Sequence, residues 1–396
     1  MVPEKIKIVN AQIITPSGIL QDAALSINGD HIEAVGNDLA DSDNTLRIDA
    51  KGKYLSPGFI DLHVHGGGGY DFMDGHEQAF LAIAETHARY GTTAMLPTTL
   101  SCSPEALYKT LDLYRGANKK NTRGAQFLGM HLEGPYFSLN QCGAQDPRYI
   151  RNPDPEEYTK ILEYGDMIRR WSAAPELPGA ITFAKYAHRK GVLMSMGHTD
   201  AIYEEALEGF ENGYTLATHL YSGMSGVHRK NAYRYAGVIE AAFLIDDMDV
   251  EIIADGIHLP SPLLKLVHKI KGPARTALIT DAMRAAGMPP GESVLGNINE
   301  GLKVIVEQGV AKLPDRSAFA GSVATADRLV RTMITQAGIS LLEAVQMMTS
   351  TPASILGILD RKGSLVAGKD ADLLIFDEDI QIQMTMIKGQ IVYEKK

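Results

Sequence analysis

The chain has only two cysteines in 396 residues, Cys102 and Cys142, and they are widely separated. That excludes a disulfide framework and a thiolate zinc site, so any metal must be held by His, Asp and Glu. Positive charge is not in excess either. The formal net charge is −10, which excludes a general nucleic-acid binder, because such binding needs a basic field. No apolar run approaches the length that spans a bilayer, so no membrane association is expected. The opening MVPEKIKIVNAQIITPSG alternates like a strand and lacks the apolar segment and cleavage site of a secretory signal, which makes the cytoplasm the expected location. A Gly-rich dinucleotide fingerprint is also missing, which counts against a doubly wound open sheet as the architecture.

What is present divides into ends and middle. Within residues 1–55, KIKIVNAQIIT, AALSINGDHIEAVG and TLRIDAKGKYL read as short strands, and within residues 361–396 DADLLIFDED and IQMTMIKGQIVYEK echo them. Such strands cannot bury a core face in isolation, so both chain ends are expected to combine in one small β-sandwich. Residues 56–360 alternate apolar strands with amphipathic helices. The strands are GFIDLHV, TTAMLPT, FLGMHLE, IRRWSAAPE, VLMSMGH, YTLATH, VEIIADG and TALITDA. Helices are expected near 77–90, 104–116, after Pro155, and near 183–189, 204–211 and 263–270. Eight strands apolar on both faces suit a parallel sheet, and the economical α/β solution is a (β/α)8 TIM barrel.

In such a barrel the functional residues stand at the C-terminal strand ends. Those ends carry His63 and His65, His131 and Glu133, His198, His219, Asp255 with His258, and Asp281. The most compact group is FIDLHVHGGGGYDFMDG. Alternate residues of a strand share one face, so His63 and His65 point the same way and are placed to bind one metal ion, unless they merely adjoin a flexible loop. The glycines after them let the backbone turn sharply and lie close to whatever sits above the strand.

The segments PGFIDLHVHG, HLEGPY, GHTDA, THLYSGM, ADGIHL and LITDAMRAAG resemble those of the amidohydrolase superfamily, and within it the amino-sugar-phosphate deacetylases. The resemblance runs over nearly the whole chain; FAGS and GSLVAGKDADLLIFD resemble the segments that return the family's chain to its small β-domain. It implies that Glu133, His198 and His219 are core metal ligands, and that His63 and His65 add a second ion, or else line the pocket of a one-metal enzyme. Two divalent ions per chain, zinc or iron, follow from it. The resemblance implies Glu133 as the bridge; other members bridge their metals with a carbamylated lysine, which IRRWSAAPE lacks. Asp281 matches the family's catalytic aspartate and stands with the metal ligands, and His258 is implied to stabilise the oxyanion or to contact the sugar.

The implied reaction is deacetylation of N-acetylglucosamine 6-phosphate to glucosamine 6-phosphate and acetate, in amino-sugar catabolism. Alternatives are another N-acyl amino sugar, such as N-acetylgalactosamine 6-phosphate or an unphosphorylated sugar, and a non-catalytic scaffold of the same fold. The departures from the family pattern fall on substrate contacts. Gln145 stands where a histidine is usual, and Ser222 and Gly223 replace an Asn-Ala pair that helps hold the sugar phosphate. Beyond them, GVHRKNAYRYAG offers Arg229, Lys230 and Arg234 as a phosphate clamp, if it is not simply a solvated loop. In the family an arginine of this loop reaches the neighbouring subunit's site, which implies a homodimer.

Overall fold

Apolar residues that alternate along a strand can serve two different cores, and the strand Leu373–Phe376 does this. Leu373 and Ile375 pack with Ile8, Ile13, Leu25 and Leu55. Leu374 and Phe376 belong instead to the main core with Phe59 and Phe80. The computed structural model describes residues 5–37, 39–40 and 44–396, so positions 1–4, 38 and 41–43 of the expected N-terminal unit lie outside the described residues. Lys5–Thr15 pairs antiparallel with Gly18–Asn28 and parallel with Thr45–Asp49 and Tyr54–Pro57. Leu373–Phe376 closes on Tyr54–Pro57 through the pairs Leu373↔Pro57 and Phe376↔Tyr54, so the two chain ends share one eight-stranded sheet.

The middle of the chain forms a curled parallel sheet with helices between its strands. The eight apolar segments appear as Phe59–Val64, Thr92–Pro97, Met130–Glu133, Ile168–Ala173, Leu193–Met196, Tyr214–Ala217, Asp249–Ile252 and Thr276–Leu278. The first pairs with the second, and the third to the eighth pair in sequence order. Isolated parallel bridges extend the pairing at both remaining seams: Thr98↔His131 joins the second strand to the third, and Val64↔Ala282 joins the end of the eighth to the first. Asp61 reinforces the second seam, accepting from Thr280 Oγ1 at 2.5 Å and from the Thr280 and His63 amides at 3.2 and 3.3 Å. Burial pushes the Asp61 carboxyl up to about 7, against those hydrogen bonds.

The interior beneath the strand ends is polar and fully paired around Arg170. Its guanidinium is completely buried, binds Glu251 at 2.7 Å through Nη2, and donates to Leu62 O, Ser195 Oγ and Thr218 Oγ1 at 3.0 to 3.1 Å. His131 ends in the same layer. Its Nε2 lies 2.7 Å from Ser172 Oγ and its Nδ1 3.2 Å from Thr98 Oγ1, so both ring nitrogens are engaged by hydroxyls below the strand ends.

The helices Glu77–Ala88, Pro104–Lys120, Pro155–Ile161, Ala180–Arg189, Tyr203–Glu211 and Ser261–Lys271 lie where the pattern puts them. The second is typical: Ser103 caps it by accepting from Ala106 N, proline opens it, and Lys119 and Lys120 sit in its last turn. Elements beyond the expectation include the helix Val238–Leu244, the hairpin His228–Lys230 with Tyr233–Tyr235, and, after the eighth strand, a three-stranded antiparallel sheet, Gly291–Leu295, Leu302–Glu307 and Val310–Lys312, and the helices Ala326–Thr335, Leu341–Gln346 and Ser350–Ile355. Among the described residues no helix is long and apolar enough to cross a membrane.

Candidate metal centre and active-site cavity

His63 sits within the first strand and His65 one residue past it, both buried and on one face, as the two-residue period requires. Their Nε2 atoms are 3.1 Å apart. The glycine run serves a close approach: a Cβ at Gly66 would stand 2.4 Å from Tyr70 O and 2.8 Å from Arg284 N, where the eighth strand's exit passes. His65 and Gly66 both donate their amides to Ala282 O at 2.8 Å, which locks this turn to that exit.

Glu133, the last residue of the third strand, is the centre of the cluster. Its Oε1 lies 3.0 Å from His219 Nε2 and 3.3 Å from both His63 and His198 Nε2, and its Oε2 lies 3.3 Å from His65 Nε2. Asp281 Oδ1 adds contacts of 3.2 Å to His65 and 3.5 Å to His63. His198, His219 and Asp281 have φ of 48°, 30° and 47°, a left-handed backbone uncommon outside glycine and costing of order 1–3 kcal/mol. Surrounding hydrogen bonds hold them there: Ser138 N donates to His198 O, Ser222 N to His219 O and Ser322 N to Asp281 O, at 2.7 to 2.9 Å. Burial by itself would raise both carboxyls, but His63 and its neighbours outweigh it and hold Asp281 below the usual range and Glu133 well below it.

This donor set fits a divalent ion. Ligand atoms of a tetrahedral zinc site stand roughly 3.3–3.6 Å from one another, and the separations here run from 3.0 to 3.5 Å. Two ligand groups can be drawn, His63–His65–Glu133 and Glu133–His198–His219, with Glu133 common to both. They are not equally supported. His198 and His219 present Nε2 inward because their Nδ1 atoms face the carbonyls of Gln141 at 2.8 Å and Ser222 at 3.0 Å, the usual outer partners of ligating imidazoles. The Nδ1 atoms of His63 and His65 are buried without a hydrogen-bond partner.

Above the cluster opens a cavity of about 310 Å³. Asp281 and His258 line it, and His258 is fixed by Asp255, whose Oδ2 accepts from Nδ1 at 2.8 Å. Burial works against the Asp255 charge, but His258 and the backbone amides of Ile257 and His258 hold its carboxyl low. Gln145, Ser222 and Gly223 are also on the wall. Gln145, however, is turned toward the cluster, donating to Glu133 Oε2 at 2.6 Å. Arg229, Lys230 and Arg234 are not on the wall; they are exposed on the hairpin. There Arg229 stands directly opposite Arg234, while Lys230 pairs with Tyr233 on the other face. Residues that the sequence reading did not single out complete the cavity: Leu100, Tyr221, Leu295 and Phe319, with the Phe319 ring 4.6 Å from that of His258. Leu295 and Phe319 come from the segment after the eighth strand, where no barrel period marks them.

The pattern of the amidohydrolase family matches residues 54–392. An N-acetylglucosamine-6-phosphate deacetylase of Lysinibacillus sphaericus is 34% identical over 373 residues, covering 94% of this chain and 92% of its own. The crystal structure of N-acetylglucosamine-6-phosphate deacetylase from Pasteurella multocida is similar with a TM-score of 0.91 and 31% identity, over 98% of this chain and 99% of that one. A mutant N-acetyl-D-glucosamine-6-phosphate deacetylase from Mycobacterium smegmatis, in complex with N-acetyl-D-glucosamine-6-phosphate, is similar with a TM-score of 0.88 and 30% identity, over 98% and 99% of the two chains.

Proposed function

The chain belongs to the amidohydrolase family, and from that premise we propose that it is a hydrolase converting N-acetylglucosamine 6-phosphate to glucosamine 6-phosphate and acetate in amino-sugar catabolism. The observation that carries this reading is the meeting of Glu133, His198, His219 and Asp281, from four separate strand ends, below one cavity. We read the curled sheet and its seam bridges as a (β/α)8 barrel over residues 56–360, and the shared terminal sheet as a sandwich of residues 1–55 and 361–396.

His63, His65, Glu133, His198 and His219, with Asp281 beside them, would hold the two ions, zinc or iron, Glu133 being common to both ligand groups. A divalent ion supplies a hydroxide nucleophile near neutral pH and Lewis acidity toward the acyl carbonyl. The chain's own groups do the rest. Asp281, held ionised, accepts a proton from the attacking water and delivers it to the leaving amine. His258, which lines the cavity and is oriented by Asp255, keeps its other nitrogen to donate to the oxyanion or to a sugar hydroxyl. The Ser222–Gly223 backbone and Gln145 border the bound sugar.

The hairpin supports the phosphate assignment in a particular form. Like charges directly opposite on an antiparallel pair repel, so Arg229 beside Arg234 is an arrangement that an anion would relieve. Since neither arginine lines this chain's cavity, we read the hairpin as serving the site of a second subunit, with the arginine face rather than Lys230, which pairs with Tyr233 on the other face, as the clamp. Val227 and Tyr233, 61% and 74% exposed, are the apolar surface such a homodimer would cover. A cytoplasmic location accords with a charged sugar phosphate as substrate. The test is release of primary amine from N-acetylglucosamine 6-phosphate by protein loaded with zinc or iron, and its loss on chelation. No turnover with either metal would refute the reading.

A further inference from the structure

We propose that Asp200 is a positioning residue of the metal centre: it clamps the segment 138–145, which carries outer hydrogen-bond partners of both His198 and Glu133, and so sets how tightly the Glu133–His198–His219 group holds its ion. The inference rests on the metal-dependent reading above and adds to it a residue that does not line the cavity.

Two of the candidate ligands lean on this one segment. The Gln141 carbonyl faces His198 Nδ1 at 2.8 Å, and the Gln145 side-chain amide donates to Glu133 Oε2 at 2.6 Å. Gly143 and Ala144, between the two, form part of the cavity wall. The segment has little of its own to hold it in place. Ser138 and Gln145 at its ends are buried, whereas residues 139–144 are exposed or half-buried. Its regular structure is a single 3₁₀ turn, Leu139–Gln141, without a side-chain cap. Among the described residues, the hydrogen bonds that join 139–144 to elements outside the segment are the His198 contact and two to one carboxylate.

That carboxylate is Asp200. Its Oδ2 accepts from Asn140 Nδ2 at 2.8 Å and its Oδ1 from Gln141 Nε2 at 2.5 Å, so its two oxygens hold consecutive residues of the turn. Hydrogen bonds to an ionised acceptor are roughly twice as strong as neutral ones. Asp200 is itself anchored. Its backbone N–H donates to Glu176 Oε1 at 2.7 Å, and the neighbouring Thr199 hydroxyl donates to Glu176 Oε2 at 2.6 Å. Thr199 also donates its amide to Gly223 O and accepts from Ser225 N, both at 3.0 Å, which ties this support to the loop after His219.

The clamp therefore runs from an anchored support, through two side-chain amides, to the carbonyl that aims His198 Nε2 at Glu133. The far side is closed: a Cβ at Gly223 would stand 2.9 Å from His198 Nδ1 and 3.2 Å from Gln141 O. Without Asp200 the turn is held at its two ends and by the His198 contact alone, and the Gln141 carbonyl loses its fixed place.

The experiment measures zinc affinity of the chelated protein by competition with a chromogenic chelator, together with the melting temperature of the metal-free form. Asp200→Ala should weaken binding of the tighter ion by about 10–100-fold, the scale for an outer partner of a metal ligand, and leave the metal-free melting temperature unchanged. Asp200→Asn keeps one acceptor oxygen and should fall between Asp200→Ala and the wild type. The double variant Asn140→Ala with Gln141→Ala removes the donors of the clamp and leaves the backbone carbonyl in place, so it should reproduce the loss. Adding Asp200→Ala to it should weaken binding no further, because residues that share one interaction are not additive. Should Asp200→Ala fail to fold, the double variant on the exposed turn carries the test. Unchanged zinc affinity in Asp200→Ala or in the double variant, or losses that add in full when the two are combined, would overturn the inference. Zinc binding is read without any turnover, so inactivity on N-acetylglucosamine 6-phosphate would remove the deacetylase reading alone, and failure of the wild type to bind a divalent ion would remove both.

Discussion

Gln145 donates its side-chain amide to Glu133 Oε2 at 2.6 Å while its carbonyl oxygen accepts the Ser101 backbone N–H at 2.8 Å. The sequence suggests a sugar contact at this position, and the fold turns the residue onto the carboxylate shared by both ligand groups. Gln145 thus sets the orientation of Glu133 as well as bordering the cavity.

Gln145→Ala should lower metal affinity or turnover by about 10–100-fold, the scale for an outer partner of a metal ligand. Metal titration of the chelated protein and steady-state rates check this. Unchanged occupancy together with unchanged kcat would show that the amide does not position Glu133.

The two ligand groups should fill unequally. His198 and His219 are oriented by backbone carbonyls, whereas His63 and His65 have no such partners, so one ion should bind tightly and a second more weakly. Elemental analysis should find close to two metals per chain at saturating supply. The double replacement of His63 and His65 by alanine should remove one of them. A single metal in the saturated wild type would reject the two-ion assignment.

Asp281→Asn keeps the side-chain shape and removes the proton acceptor. Turnover should fall by roughly 10²–10⁴, the range for a general base. Metal content should stay nearly normal, because Glu133, His198 and His219 are untouched. Near wild-type turnover in this variant would overturn the proton-transfer role.

The hairpin prediction uses two substrates. Neutralising Arg229 or Arg234 should weaken kcat/KM for the phosphosugar by about 1.5–3 kcal/mol, the scale of a hydrogen bond to a charged group. The unphosphorylated sugar should barely respond, and Lys230→Gln should leave both unchanged. Equal losses on the two sugars would remove the clamp, and a monomeric mass in solution would remove its placement in a partner's site.

Legibility differed among the elements for physical reasons. The eight parallel strands stand out as apolar runs because both of their faces are covered; Phe59–Val64 and Thr92–Pro97 are buried at every residue. The helix Val238–Leu244 is only seven residues long, too short for a helical period to emerge, and it opens after Gly237 without the proline that marks the start of the equally short Pro155–Ile161. The added sheet after the eighth strand is half exposed along Gly291–Leu295, so its pattern does not resemble the buried strands around it. Its Leu295 nevertheless reaches the cavity wall.

Local pattern alone determined the alternation of strands and helices, the exclusion of thiolate metal sites, and the common face of His63 and His65, since each depends on residues close together in the chain. Tertiary structure decided the rest. The closeness of His219 to Glu133 depends on how the sheet curls, and the inward aim of His198 and Asp281 depends on left-handed backbone angles held by hydrogen bonds from Ser138 and Ser322, remote in sequence. Whether Gln145 faces sugar or carboxylate, and whether Arg234 stands opposite Arg229 or Lys230, turns on which groups the fold sets opposite them. The Gln145–Glu133 contact joins a loop to a strand end, and the Arg229–Arg234 register is set by the turn between them, so no periodicity within a single strand or helix encodes either.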